Sequence, residues 1–346
     1  MSVSAHPWLG TLLGDAETAA PLGAEAQLTD LLRVEAAYAR ALGDAGRVPR
    51  ETAEAAAQAI LAAPLDPDRL RARTAQDGVV VPGLVAQLKA HLPGALHPAL
   101  HSGLTSQDVI DTALVLGLRR VNDLLALRLA ALSQALHDLR RDHGATPLMG
   151  VTRMQDALPI TAADRIDAWA MPLADHAARL TALRPHLERL SFGGPVGALP
   201  EADRPVAEAL ATRLGLPPPG KAWHAMRDGI AEYGGWLSLV TGTLGKMGQD
   251  LALMAQTGQV ALAGGGASSA MPHKQNPVAA ETLVTLARFN ATLLSGLHQA
   301  LVHEQERSGA AWALEWLLLP QMTEATGTAL RTAADLARAV RRLGPA

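Results

Sequence analysis

A chain of 346 residues with 49% hydrophobic and 18% charged residues, and only two Phe and two Tyr, draws its apolar content from aliphatic side chains and alanine. That balance favours packed helices over sheets, because strands draw on aromatic and β-branched residues. The formal net charge of -3 excludes a broad electrostatic attraction to nucleic acid or anionic membranes, and the absence of cysteine excludes disulfides and thiolate chemistry.

The first residues, MSVSAHPWLGTLLGDAE, hold no basic segment followed by an apolar run of signal-peptide length. No run reaches the roughly 18 apolar residues needed to cross a bilayer, so a soluble, cytoplasmic protein is expected. From Leu28 to Leu42 apolar residues recur at helical spacing, and VPRETAEAAAQAI starts a second helix with Pro49 near its first turn. Short helices and Pro breaks continue to about residue 100. Residues 1–100 read as an N-terminal helical domain and 101–346 as a bundle of long helices.

The first long helix opens at Thr105, three residues before Asp108, a capping-box spacing, and runs without Pro to Gly144. A second is expected from about Thr161 to Leu190, a third from about Arg227 to Gln259. A fourth is expected from Pro277 to about Glu306, with Asn276 as N-cap and Pro277 as the first helical residue. No stretch alternates long enough to predict a strand. The fold class predicted is all-α. In the third helix Gly229, Gly234, Gly235, Gly242, Gly245 and Gly248 are expected to mark close helix–helix contact. Helices this long leave much apolar surface for other subunits to cover.

Four clusters depart from the Ala/Leu background. In HSGLTSQDVIDT (His101 to Thr112) the hydroxyls of Thr105 and Ser106 and the free N–H groups of a helix N-terminus suit an anion, and capping alone does not account for His101, Ser106 and Gln107 in one turn. In GVTRMQDALPIT (Gly150 to Thr161), Thr152, Arg153 and Gln155 gather before a helix, where Arg153 can grip a carboxylate. GGGASSAMPHKQNP (Gly264 to Pro277) carries mobile glycines, two serines, Lys274 and Asn276, yet lacks the GK[ST] ending of a phosphate loop. HEQERSGAAWALEW (His303 to Trp316) reads as a polar helix end followed by a buried aromatic pair. The paired histidines of HPALH flank Pro98 and have no acidic third ligand, so no metal site is expected.

SSAMPHKQNPVAAE closely resembles the signature loop of the fumarase/aspartase superfamily, and HSGLTSQDVIDT and GVTRMQDALPIT resemble its two other blocks in the right order. Within it, WHAMRDGIAEYGG (from Trp223) and HEQERSGAAWALEW resemble the 3-carboxy-cis,cis-muconate cycloisomerases. Adenylosuccinate lyases share part of the pattern, but their Thr-His-x-Gln block here reads Thr152-Arg153-Met154-Gln155.

The resemblance implies intramolecular addition of a carboxylate of an anionic tricarboxylate to a double bond, with no metal and no organic cofactor. It implies a homotetramer whose active sites combine blocks from different subunits, and no nucleic-acid or membrane partner. It also implies catalytic roles for Ser268 or Ser269, His101 and Lys274. Substrate-binding roles fall to Thr105, Ser106, Gln107, Arg153, Gln155, Met271, Asn276 and Arg307. The family usually adds a small C-terminal helical domain, whereas this sequence stops at RRLGPA.

Overall fold

The structure, a computed structural model, describes residues 3–267, 271 and 274–345. Two single-turn helices, α1 (Gly10–Leu13) and α2 (Ala16–Ala19), precede a group of shorter ones: α3 (Ala24–Asp44), α4 (Arg50–Leu61), α5 (Pro67–Asp77) and α6 (Val81–His91). The bundle begins with α7 (Ser106–His143) and α8 (Ala162–Leu187). After the short α9 (Arg204–Leu214), which packs on α3, it is completed by α10 (Asp228–Gln256), α11 (Val278–Gln299) and α12 (Gly309–Ala339). The all-α class expected from composition is the class observed.

The longest element, α7, shows why the sequence folds this way. Thr105 lies in extended conformation as N-cap, and its N–H donates to Asp108 Oδ2 at 3.0 Å, closing the expected capping box. From there Leu118, Val121, Leu125, Leu129, Leu132, Leu136 and Leu139, spaced three or four apart, are all buried against the neighbouring helices. Each fully buried leucine contributes about 1.5–3 kcal/mol, and truncating one such as Leu125 to alanine costs about 2–5 kcal/mol. At 1.5 Å per residue the 38-residue helix is about 57 Å long.

Close packing explains part of the glycine pattern in α10. A Cβ at Gly245 would lie 2.5 Å from Ala287 Cβ, one at Gly248 2.5 Å from the Ala280 carbonyl, and one at Gly234 would collide with Leu297, so these three admit α11. Gly235 and Gly242 meet nothing within 4 Å among the described residues, and Gly229 meets only the His186 carbonyl at 3.6 Å. The expectation holds for half of the six.

Four other expectations need correction. A hairpin of β1 (Pro147–Thr152) and β2 (Gln155–Thr161) stands where no strand was expected. It is largely solvent-exposed, so no buried face imposes alternation, and its turn residues Arg153 and Met154 take φ of 48° and 64° without the usual Asn or Gly. Asn276 does not cap a helix: β3 (Val260–Leu262) and β4 (Gly266–Ala267) follow α10, and Asn276 lies in β5 (Gln275–Asn276), paired with β4, while Pro277 is the N-cap. The fourth long helix stops at Gln299, not near Glu306, so HEQER is a loop. Finally, α12 was not foreseen; Pro320 and Gly327 lie inside it, and Gly327 sits against Thr18 where a larger residue would clash. The chain then forms β6 (Val340–Leu343), antiparallel to β3.

Candidate active site

Three loops meet at the N-terminal end of α7. Arg307, on the α11–α12 loop, donates from Nη2 to Thr105 Oγ1 at 2.9 Å and to the Pro195 carbonyl at 3.1 Å. The loop at Gly193–Gly194 is fastened by Asp108, whose Oδ1 accepts from the Gly193 N–H at 2.9 Å and whose Oδ2 accepts from the Gly194 N–H at 3.0 Å. His224 Nε2 donates to the same Oδ1 at 2.8 Å. Asp108 therefore caps its own helix and holds two distant segments, and its burial is tolerated because donors surround it. Ser106 is half-buried beside Thr105.

His101 enters the same end of the molecule with φ of 52°, a left-handed backbone unusual for a side chain of this size. Its Nδ1 lies 2.6 Å from Oε1 of the fully buried Glu35. Gln107 does not face the open side: its amide is buried and donates to Asp111 Oδ2 at 3.2 Å and to the His224 carbonyl at 2.9 Å.

Beneath this end runs a buried charge network. Arg227 donates to Asp111 Oδ2 at 2.7 Å and to Glu315 Oε1 at 2.9 Å, while its guanidinium lies 4.7 Å from the centre of the Trp223 ring. Trp312 Nε1 donates to Asp111 Oδ1 at 3.0 Å, and Trp312 and Trp316 meet edge to face. Burial works against the Arg227 charge, but Asp111 and Glu315 outweigh it and hold the guanidinium more basic than usual. Burial likewise pushes the Glu315 carboxyl up, and Arg227 and His303 overcome it so that the group stays below its ordinary range. The HEQERSGAAWALEW segment thus supplies both Arg307 at the surface and the charge beneath it.

The remaining expected residues stand at the other end of α7. Arg153 and Gln155 are exposed on the β1–β2 hairpin, which starts four residues after His143. Lys274 and Met271 are exposed and Asn276 is half-buried in the segment that β4 and β5 close. The same end is tied together by β3 and β6 and by Gly344, which donates to the Gln259 carbonyl at 2.8 Å and lies against Thr146. A cleft of about 490 Å³ lined by Gly264, Gly265, Asn276, Pro277 and Arg331 opens there. Ser268 and Ser269 lie outside the described residues. A hairpin with strands of six and seven residues reaches about 20 Å, far short of the length of α7. One chain therefore places His101, Thr105, Ser106 and Arg307 at one end of α7, and Arg153 and Gln155 on the hairpin and Met271, Lys274 and Asn276 in the β4–β5 segment at the other.

Glu35, Asp111, His224, Arg227 and Glu315 were not singled out in the sequence. Asp108, Asp111 and Gln107 on one buried face of a helix were the available signal, since acids without partners do not settle in a core.

The sequence profile of a family described as Lyase matches residues 18–293. The chain is 41% identical to the 3-carboxy-cis,cis-muconate cycloisomerase of Pseudomonas aeruginosa, the alignment covering 90% of this chain and 70% of that protein. It is 38% identical to the enzyme of the same name from Pseudomonas putida, over 91% of this chain and 77% of that one. The crystal structure of the 3-carboxy-cis,cis-muconate lactonizing enzyme from Pseudomonas putida superposes with a TM-score of 0.90 at 36% identity, covering 97% of this chain and 77% of that chain.

Proposed function

The chain belongs to the lyase family of the fumarase/aspartase superfamily, and on that premise we propose that it converts 3-carboxy-cis,cis-muconate to a carboxymuconolactone. The observation that carries the reading is the 41% identity to a cycloisomerase of that substrate over 90% of the chain, joined to a cation, hydroxyls and a histidine gathered at one helix end.

One carboxylate of the substrate adds to the conjugated double bond. As the C–O bond forms, the electron pair moves through the diene onto another carboxylate, giving an enolate-like intermediate that is protonated on carbon. The substrate brings its own nucleophile, so the protein orients it, meets its charges and transfers one proton. Arg307, Thr105 and Ser106 are the groups suited to hold one carboxylate, and Lys274, Asn276, Gln155 and Arg153 to meet the others and the developing charge. Met271 is assigned to the substrate's apolar edge. Gln107 acts from below, by fixing the turn. Ser268, with Ser269 as the alternative, is the proposed proton-transfer group, on the resemblance alone. Its alkoxide needs Lys274 or loop N–H groups to be stabilised.

Completing such a site needs the loop end of one subunit beside the α7 start of another. The separation of the two residue groups by about 57 Å of helix supports a homotetramer with shared sites. The exposed apolar side chains Met154 and Leu158 on the hairpin are further support.

The test is loss of the ultraviolet diene absorbance on adding 3-carboxy-cis,cis-muconate, with the lactone identified by NMR, run beside adenylosuccinate. Turnover of the diene acid alone supports the proposal; turnover of adenylosuccinate alone overturns it.

A further inference from the structure

Helix α3 holds the loop that carries His101 at two points one turn apart. Glu35 Oε1 lies 2.6 Å from His101 Nδ1, and Tyr38 donates its hydroxyl to the Ser102 carbonyl. Next in the loop, Gly103 takes φ of 91° and leaves only 3.3 Å between a would-be Cβ and the Tyr38 oxygen. A left-handed His101 between these anchors is a backbone arrangement that costs on the order of 1–3 kcal/mol, and surrounding contacts have to maintain it.

Glu35 itself is 0% exposed, and its second oxygen, Oε2, has no hydrogen-bond partner among the described residues. A carboxylate so placed is costly to bury, and a neutral residue of similar size would pack there without that cost. Its one side-chain partner among the described residues is a histidine, 18% exposed, at the N-terminal end of α7. Because a carboxylate only accepts, the nitrogen facing it must carry the proton. His101 Nε2 has no protein partner among the described residues.

We infer that Glu35 is a positioning residue for the reaction: by accepting from Nδ1–H it fixes the tautomer and the ring plane of His101, so that Nε2 alone meets the substrate. The inference deepens the proposed function and rests on it. Glu35 touches no reacting atom; its effect passes through His101, which lies four residues before the Thr105–Arg307 contact. The same logic operates wherever a carboxylate behind an imidazole selects which nitrogen works.

The experiment uses the full chain with 15N-labelled histidine, His101 being assigned by its loss in His101→Gln, and compares Glu35→Gln and Glu35→Leu with the parent. The probe is tricarballylate, an unreactive tricarboxylate, followed by kinetics on the diene acid. In the parent, tricarballylate shifts the His101 Nε2 signal and leaves Nδ1 in place. In Glu35→Leu the two tautomers mix, both nitrogens respond, and kcat/KM falls tenfold or more with the thermal transition and assembly size retained. Glu35→Gln, whose amide oxygen still accepts from Nδ1–H, recovers most of the tautomer preference and part of the rate. A folded Glu35→Leu with unchanged kcat/KM, or a parent in which Nδ1 is the nitrogen that responds, overturns the inference. If Glu35→Leu does not fold, a Glu35→Gln variant with tautomers as mixed as free histidine does so as well. Should the parent fail to turn over the diene acid, the proposed function fails, while the nitrogen signals still decide the role of Glu35.

Discussion

Arg307 Nη2 donates to Thr105 Oγ1 at 2.9 Å, joining residues 202 positions apart and bringing a cation to the N-cap of the longest helix. The contact leaves other N–H groups of the guanidinium for a ligand, and the N-terminal turn of α7 adds its partial positive charge. Replacing Arg307 with alanine should lower kcat/KM on the diene acid by about 10²–10³ while leaving the thermal unfolding midpoint unchanged. Lysine should recover little of it, because a point charge does not reproduce the planar fork. Steady-state kinetics beside thermal unfolding separates these outcomes, and an unfolded Arg307→Ala would show the contact to be structural.

The charge network beneath the site makes a stability prediction. Arg227 sits between Asp111 and Glu315, all three side chains being at most 2% exposed. Arg227→Met leaves two carboxylates uncompensated, and the expected cost is about 3–5 kcal/mol in urea unfolding followed by circular dichroism. A loss under about 1 kcal/mol would mean that the carboxylates find other partners.

A third prediction concerns acid. Burial pushes the Asp15 carboxyl up, but the Arg128 guanidinium, the Thr18 N–H and Arg331 together outweigh it and hold the group at about 2, below its ordinary 3.8. A carboxyl depressed in the folded state adds stability above its unfolded value and loses it as pH falls through the folded one. Asp15→Asn should therefore be less stable than the parent by about 2 kcal/mol at pH 7, and the gap should close between about pH 4 and pH 2. Unfolding midpoints of the two proteins measured across that range check it; a gap constant with pH contradicts it.

Legibility in the sequence followed the range of the interaction. The α7 start was readable because Thr105 and Asp108 interact across one helical turn, and the long helices because burial of Leu118 through Leu139 repeats every three or four residues. The hairpin was not, since its exposed strands carry no alternation and Arg153–Met154 replaces the usual turn residues. Nor was the role of Glu35 or His224, whose partners lie 66 and 116 positions away. The motif blocks located most candidate residues, and sites shared between subunits, through resemblance, while which blocks stand at which end of α7 came only from the fold.

That division allows the central claim, a cycloisomerase site assembled from opposite ends of different subunits, to be tested in one measurement. Lys274→Ala and Arg307→Ala damage different ends, so each alone should consume almost none of the diene acid. When the two variants are co-expressed and co-assembled, some sites receive an intact residue at both positions, and the diene absorbance should fall at a substantial fraction of the parent's rate. A mixed assembly, verified by mass, whose rate is no more than the sum of the two variants alone would contradict the account.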